Sequence, residues 1–116
     1  MGPGRMRRVD EAVREVLSDA IAKDLQDPRI GFVTVTGVKT SSDLRHARVY
    51  VSILGDDETR SRALAGLRSA HGFLQGRVAM QLTLKHTPTL TFEYDESIDR
   101  AMRISRLLDQ GKEPHG

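Results

Sequence analysis

The chain has 116 residues, 38% hydrophobic and 29% charged, with 18 basic and 16 acidic side chains for a formal charge of +2. That length suits one domain with a small but real core, and the lack of cysteine excludes disulfides, thiolate metal ligands and cysteine nucleophiles. No apolar run approaches the ~20 residues that span a bilayer and no apolar signal segment opens the chain, so a cytoplasmic protein is expected.

Residues 1–6 read as a flexible leader, 7–110 as the domain and 111–116 as a disordered tail. From Val9, an apolar stripe of Val13, Val16, Leu17, Ala20, Ile21 and Leu25 opposes Asp10, Glu11, Arg14, Asp19 and Lys23, the pattern of an amphipathic helix. Asp10 with Arg14, and Asp19 with Lys23, stand four residues apart and are expected to pair. Asp27-Pro28 ends the helix, because the residue before proline is pushed out of helical geometry. Arg5, Arg7 and Arg8 sit at its start, where cations oppose the helix dipole, and either fray that end or meet an anion.

Phe32 to Thr40 and Arg45 to Leu54 alternate as strands, with Ala47, Val49, Val51 and Ile53 on one side of the second. The short Thr40-Ser41-Ser42-Asp43 link predicts an antiparallel hairpin, and Gly37 predicts a bulge. Gly55-Asp56-Asp57-Glu58 places acids at the start of the next helix. A helical pattern then runs from about Asp57 to Leu82 and holds phase through Ala63, Leu64, Leu67, Leu74, Val78 and Leu82. Gly72 interrupts it, at about 1 kcal/mol against alanine, which predicts two helices meeting at a bend with accessible backbone. Thr83 to Pro88 carries Lys85 and His86 into a third strand, Thr89 to Asp95, with Leu90, Phe92 and Tyr94 on one face. A final helix, Glu96 to Gln110, sets Ile98, Ala101, Met102, Ser105 and Leu108 along one side and stops at Gly111.

Strands with a single apolar face predict an α+β two-layer sandwich, its mixed three-stranded sheet covered by helices on one face only. Chemistry is sparse. Nucleophile-elbow, zinc-protease, P-loop and dinucleotide motifs are absent from the sequence, and the four histidines lack metal-ligand spacing. An enzyme, a cofactor and a metal are therefore not expected. Charge is more telling, because Thr59 to Phe92 holds five basic and no acidic residues, splitting the +2 into +5 there and −3 elsewhere. A polyanion-binding surface is expected around the bend. Five aromatics without tryptophan supply stacking poorly, which favours backbone contacts over base reading.

The order helix, strand, strand, helix, kink, helix, strand, helix resembles a type II KH domain, an RNA-binding fold whose central helices meet at a G-x-x-G loop. Here Ala70-His71-Gly72 stands in place of that loop, as in the ribosome-binding factor A family. The same family is suggested by Arg7-Arg8-Val9, Asp27-Pro28-Arg29-Ile30, the strand Ala47 to Ser52, Ser69 to Leu74, and Pro88 with Leu90-Thr91-Phe92, across roughly Arg5 to Leu108. The resemblance implies a non-catalytic, monomeric assembly factor that binds the small (30S) ribosomal subunit, assists late ribosomal RNA processing and serves cold adaptation. Arg68, Ala70, His71, Gly72 and Arg77 around the kink, with Lys85, Arg7 and Arg8 extending the positive track, are the expected RNA contacts. A KH-like module for other RNAs, or a protein-interaction module with a basic face, are the alternatives.

Overall fold

Valine-rich alternation builds the sheet, and the computed structural model, which describes residues 3–112, places the strands between helices. In chain order these are α1 (Pro3–Asp19), widening into a π-helical turn over Ala20–Asp24, β1 (Val33–Thr40), β2 (His46–Ile53), α2 (Asp57–Ser69), α3 (His71–Gln81), β3 (Thr89–Tyr94) and α4 (Ser97–Lys112). The sheet order is β1-β2-β3, antiparallel between β1 and β2 and parallel between β2 and β3. The mixed sheet follows from chain connectivity: a two-helix crossover returns β3 in the direction of β2.

The expected bulge lies between Val35 and Gly37, where the register shifts by one residue. Thr36, left without a partner, turns its hydroxyl to the Tyr50 carbonyl (3.2 Å) and the Asp95 carboxylate (2.6 Å). The shift also preserves burial, since Val35 before it and Thr40 after it both face inward. Val49, Val51 and Phe92 from the sheet meet Val13 and Leu17 of α1, Leu67 of α2, and Leu74 and Val78 of α3 in one core.

Several local expectations change. The helix starts at Pro3, inside the expected leader, because proline lacks only an N–H that the first turn leaves unpaired anyway. Gly111 and Lys112 continue α4 where a tail is expected. Met1, Gly2 and residues 113–116 lie outside the described residues. Asp10 does not pair with Arg14: it accepts the Thr40 N–H at 2.8 Å, tying α1 to the end of β1, while Arg14 bonds Glu11. Asp19 and Lys23 do pair, at 3.6 Å.

Gly66 has a packing role that helical periodicity conceals. A Cβ there would lie 2.8 Å from Ile30 Cγ1 and 3.3 Å from Asp27 Oδ2, so its absence lets α2 press on the segment after α1. That segment is stiffened by Arg29, which donates to Asp27 from its backbone (2.9 Å) and its guanidinium (2.7 Å). These bonds hold the Asp27 carboxyl at about 2, against an ordinary 3.8. Hydrogen bonds from Ser97 and Thr36 lower Asp95, and those from Thr59 lower Asp56. Each is depressed in the folded chain, so its stabilisation is complete above the ordinary carboxylate range and is lost as pH falls through the folded value. The thermal midpoint is therefore expected to hold from pH 7 to about 5 and to decline below about 4. A midpoint unchanged down to pH 2 would contradict this carboxylate network.

The largest departure is α4. Its stripe is expected to cover the sheet, yet Ala101, Met102, Ser105 and Leu108 are all exposed. Among the described residues, α1, α2 and α3 form the covering layer. The radius of gyration, 17.0 Å, exceeds the roughly 13 Å of a compact domain this size, as a projecting arm requires.

Candidate nucleic-acid interface

The helical segment breaks at Ala70, two residues before the glycine expected to break it. Ala70 has φ −87° and ψ 9°, in the bridge region that ends a helical run. Its N–H bonds the Gly66 and Leu67 carbonyls at 3.0 and 3.1 Å, closing α2, and its carbonyl accepts the Leu74 N–H at 3.0 Å, opening α3. The reason is tertiary. α2 lies along β3 and β2 whereas α3 crosses to α1, and a straight rod cannot reach both. Gly72 occupies the first turn of α3.

The break leaves that turn open. Ala70 offers no side-chain cap and the first turn of α3 holds no acid, so no side chain of that turn opposes its partial positive charge. Nothing lies within 4 Å of the position a Gly72 Cβ would take. His71 is half-buried beside it and Arg68 is exposed. One Arg68 nitrogen donates to the Phe92 carbonyl at 3.1 Å, which anchors the guanidinium at the outer edge of β3 with its other donors available. Gln75 accepts the Leu90 N–H at the same edge (3.2 Å). Both side chains occupy edge groups of β3 that no strand pairs. Gln75 gives no signal in the sequence, because an uncharged residue within a helical pattern looks like any other.

The other expected residues disperse. Arg77 turns away from Arg68: it bonds Asp24 at 3.1 Å and stands 5.0 Å over the Phe73 ring. Its charge is largely matched by Asp24. Lys85 is exposed in the connection before β3, and Arg7 and Arg8 are exposed in the early turns of α1. The acid-free window is thus not acid-free in space. Asp24 pairs with Arg77, and Asp99 and Asp57 flank Arg60 at 3.3 and 3.7 Å. Arg62, Arg68 and Lys85 keep no ionic partner among the described residues. Arg60 also stacks over Tyr94 at 4.6 Å, whose hydroxyl donates to Asp99 (3.2 Å). Burial, followed by the bond to Asp99, pushes the Tyr94 phenol above its ordinary value.

A sequence model described as ribosome-binding factor A matches residues 5–108. The chain belongs to the ribosome-binding factor A family. The Geobacter metallireducens ribosome-binding factor A is 47% identical over 113 residues, covering 97% of this chain and 96% of the relative. A crystal structure of ribosome-binding factor A from Thermus thermophilus superposes with a TM-score of 0.68 at 27% identity, over 77% of this chain and 94% of the other. A Thermus thermophilus ribosome-binding factor A homology model, fitted into a cryo-EM map of a 30S complex, superposes with a TM-score of 0.62 at 28% identity, over 75% and 91% of the two chains. The α+β, type II KH-like fold is that of ribosome-binding factor A, whose members are ribosome-binding factors.

Proposed function

We propose that the chain binds the small ribosomal subunit by seating ribosomal RNA phosphates at the first turn of α3, and assists late maturation of that RNA without catalysing a reaction. The carrying observation is the open end of α3: no cap, no acid, a bare Gly72, and Arg68 alongside. Backbone N–H groups and the helix dipole at such an end attract a phosphate. Kinship with a protein fitted into a 30S complex supplies the partner. Ala70 sets the angle of the seat, His71 and Arg68 border it, and Arg77 supports it through Phe73. Lys85, Arg7 and Arg8 add outlying contacts to RNA farther along the strand. The protein acts as a cytoplasmic monomer during ribosome assembly, including growth in the cold.

Phosphate contacts release counterions, so affinity should fall steeply with salt. With about three to four contacts, the logarithm of the binding constant for purified small subunits should drop with a slope of roughly −2 to −4 against the logarithm of salt. Sedimentation across 50–300 mM salt, a range of about sixfold, measures it. Binding that stays flat over that range would overturn the phosphate seat.

A further inference from the structure

We propose that α4 is a second RNA-binding arm, with Arg103 and Arg106 gripping the sugar-phosphate backbone where it leaves the α3 seat. The inference rests on the small-subunit reading above and adds a site on a different element. It begins from a cleft of about 450 Å³ between α2, the end of β3 and the start of α4, continued by one of about 200 Å³ along α4. Arg60 forms one wall; Arg100, Arg103 and Arg106 form the other. Three carboxylates share the cleft, and each is engaged. Asp57 and Asp99 flank Arg60, and Glu96 pairs with Arg100 at 3.6 Å. Arg103 and Arg106 remain, exposed and without an ionic partner among the described residues. They are the positive charges of the cleft that the protein leaves unmatched.

The cleft also lies in line with the first seat. Arg60, Leu64 and Arg68 form one row of α2 at steps of four, and both arginines turn to β3, one over the Tyr94 ring and the other onto the Phe92 carbonyl. Eight residues of helix separate them by about 12 Å. That is a span of a few nucleotides of extended strand, with the α3 seat at one end and the α4 arginines at the other. An arm held away from the core, as α4 is, keeps its cationic face open for such a strand. The first turn of α4 is fixed by Asp99 through Arg60 and Tyr94, so the arm meets the body at a defined place.

The opposite flank of α4 exposes Ile104 and Leu108, which RNA phosphates would not cover. The test therefore compares the two flanks in the full-length chain, using purified small subunits at 50–300 mM salt. Replacing Arg103 and Arg106 together by alanine should weaken binding about tenfold at low salt and make the salt slope shallower by roughly 1.4 to 1.8, with unchanged circular dichroism. The pair Arg103→Lys and Arg106→Lys should retain most of the affinity. Replacing Ile104 and Leu108 together by serine should leave both affinity and slope intact. Unaltered affinity and slope in the alanine pair would overturn the inference, as would a loss confined to the serine pair, which would assign α4 to a protein contact. If the unsubstituted chain itself fails to bind small subunits, the underlying functional reading falls instead.

Discussion

Replacing Leu67 by alanine is expected to destabilise the domain by about 2 to 5 kcal/mol. Leu67 is fully buried among the largest core side chains, with Phe92, Leu17 and Leu74. It lies one turn before the break at Ala70, where α2 is packed against the sheet, so neighbouring backbone cannot collapse into the space left by the truncation. Against a typical total stability of about 5–15 kcal/mol, the loss would be visible in a denaturant titration as a large shift in midpoint. A change below about 1 kcal/mol would mean that the core does not depend on the apolar row of α2.

The second large effect separates binding from stability. Gly72→Asp is expected to weaken small-subunit binding by more than about tenfold, the effect of ~1.4 kcal/mol, while leaving the domain as stable or more so. The position has open space around it, so the new side chain meets no clash. A carboxylate in the first turn interacts favourably with the helix dipole, by about 0.3–1 kcal/mol, and replacing glycine adds helix propensity. The same carboxylate repels a phosphate seeking that turn. Gly72→Ala provides the uncharged comparison: it should gain about 0.8–1 kcal/mol of helix stability and lose far less affinity. If the aspartate variant binds as tightly as the parent, the first turn of α3 is not the seat. If it unfolds, the open surroundings assigned to Gly72 are wrong.

Much of this molecule was legible from pattern. The inward row of β2, the core stripe from Val13 to Ile21, the bulge at Gly37 and the acids at the start of α2 all follow from local rules acting on adjacent residues, and all are present. The two-helix crossover was legible as well, because an apolar stripe can keep phase only if both helices share a core. Family kinship rested on short motifs in a fixed order, and order survives in one dimension.

Charge did not survive the same translation. An uninterrupted basic window suggested a single cationic surface, but folding brings Asp24 to Arg77 and Asp99 to Arg60 from segments far away in the chain. Arg68 and Arg77, equally prominent in the sequence, end with opposite fates: one is anchored on a β3 carbonyl and stays exposed, the other is turned to an acid beside α1. The amphipathic pattern of α4 was equally open, since an apolar stripe records only that a helix has a partner face, and not that the partner is its own core.

The amino-acid order alone therefore determined the elements, the inward faces of those that share the core, and the family, because helix and strand periods are set by neighbours a few residues apart. Tertiary structure alone decided that the bend falls at Ala70, that Gly66 admits the Asp27–Ile30 segment, that only some of the middle arginines stay unpaired, and that α4 stands clear of the core. Those outcomes depend on which distant groups meet in space, and the Coulomb and packing energies that choose among them fall off over a few ångströms, whatever the separation along the chain.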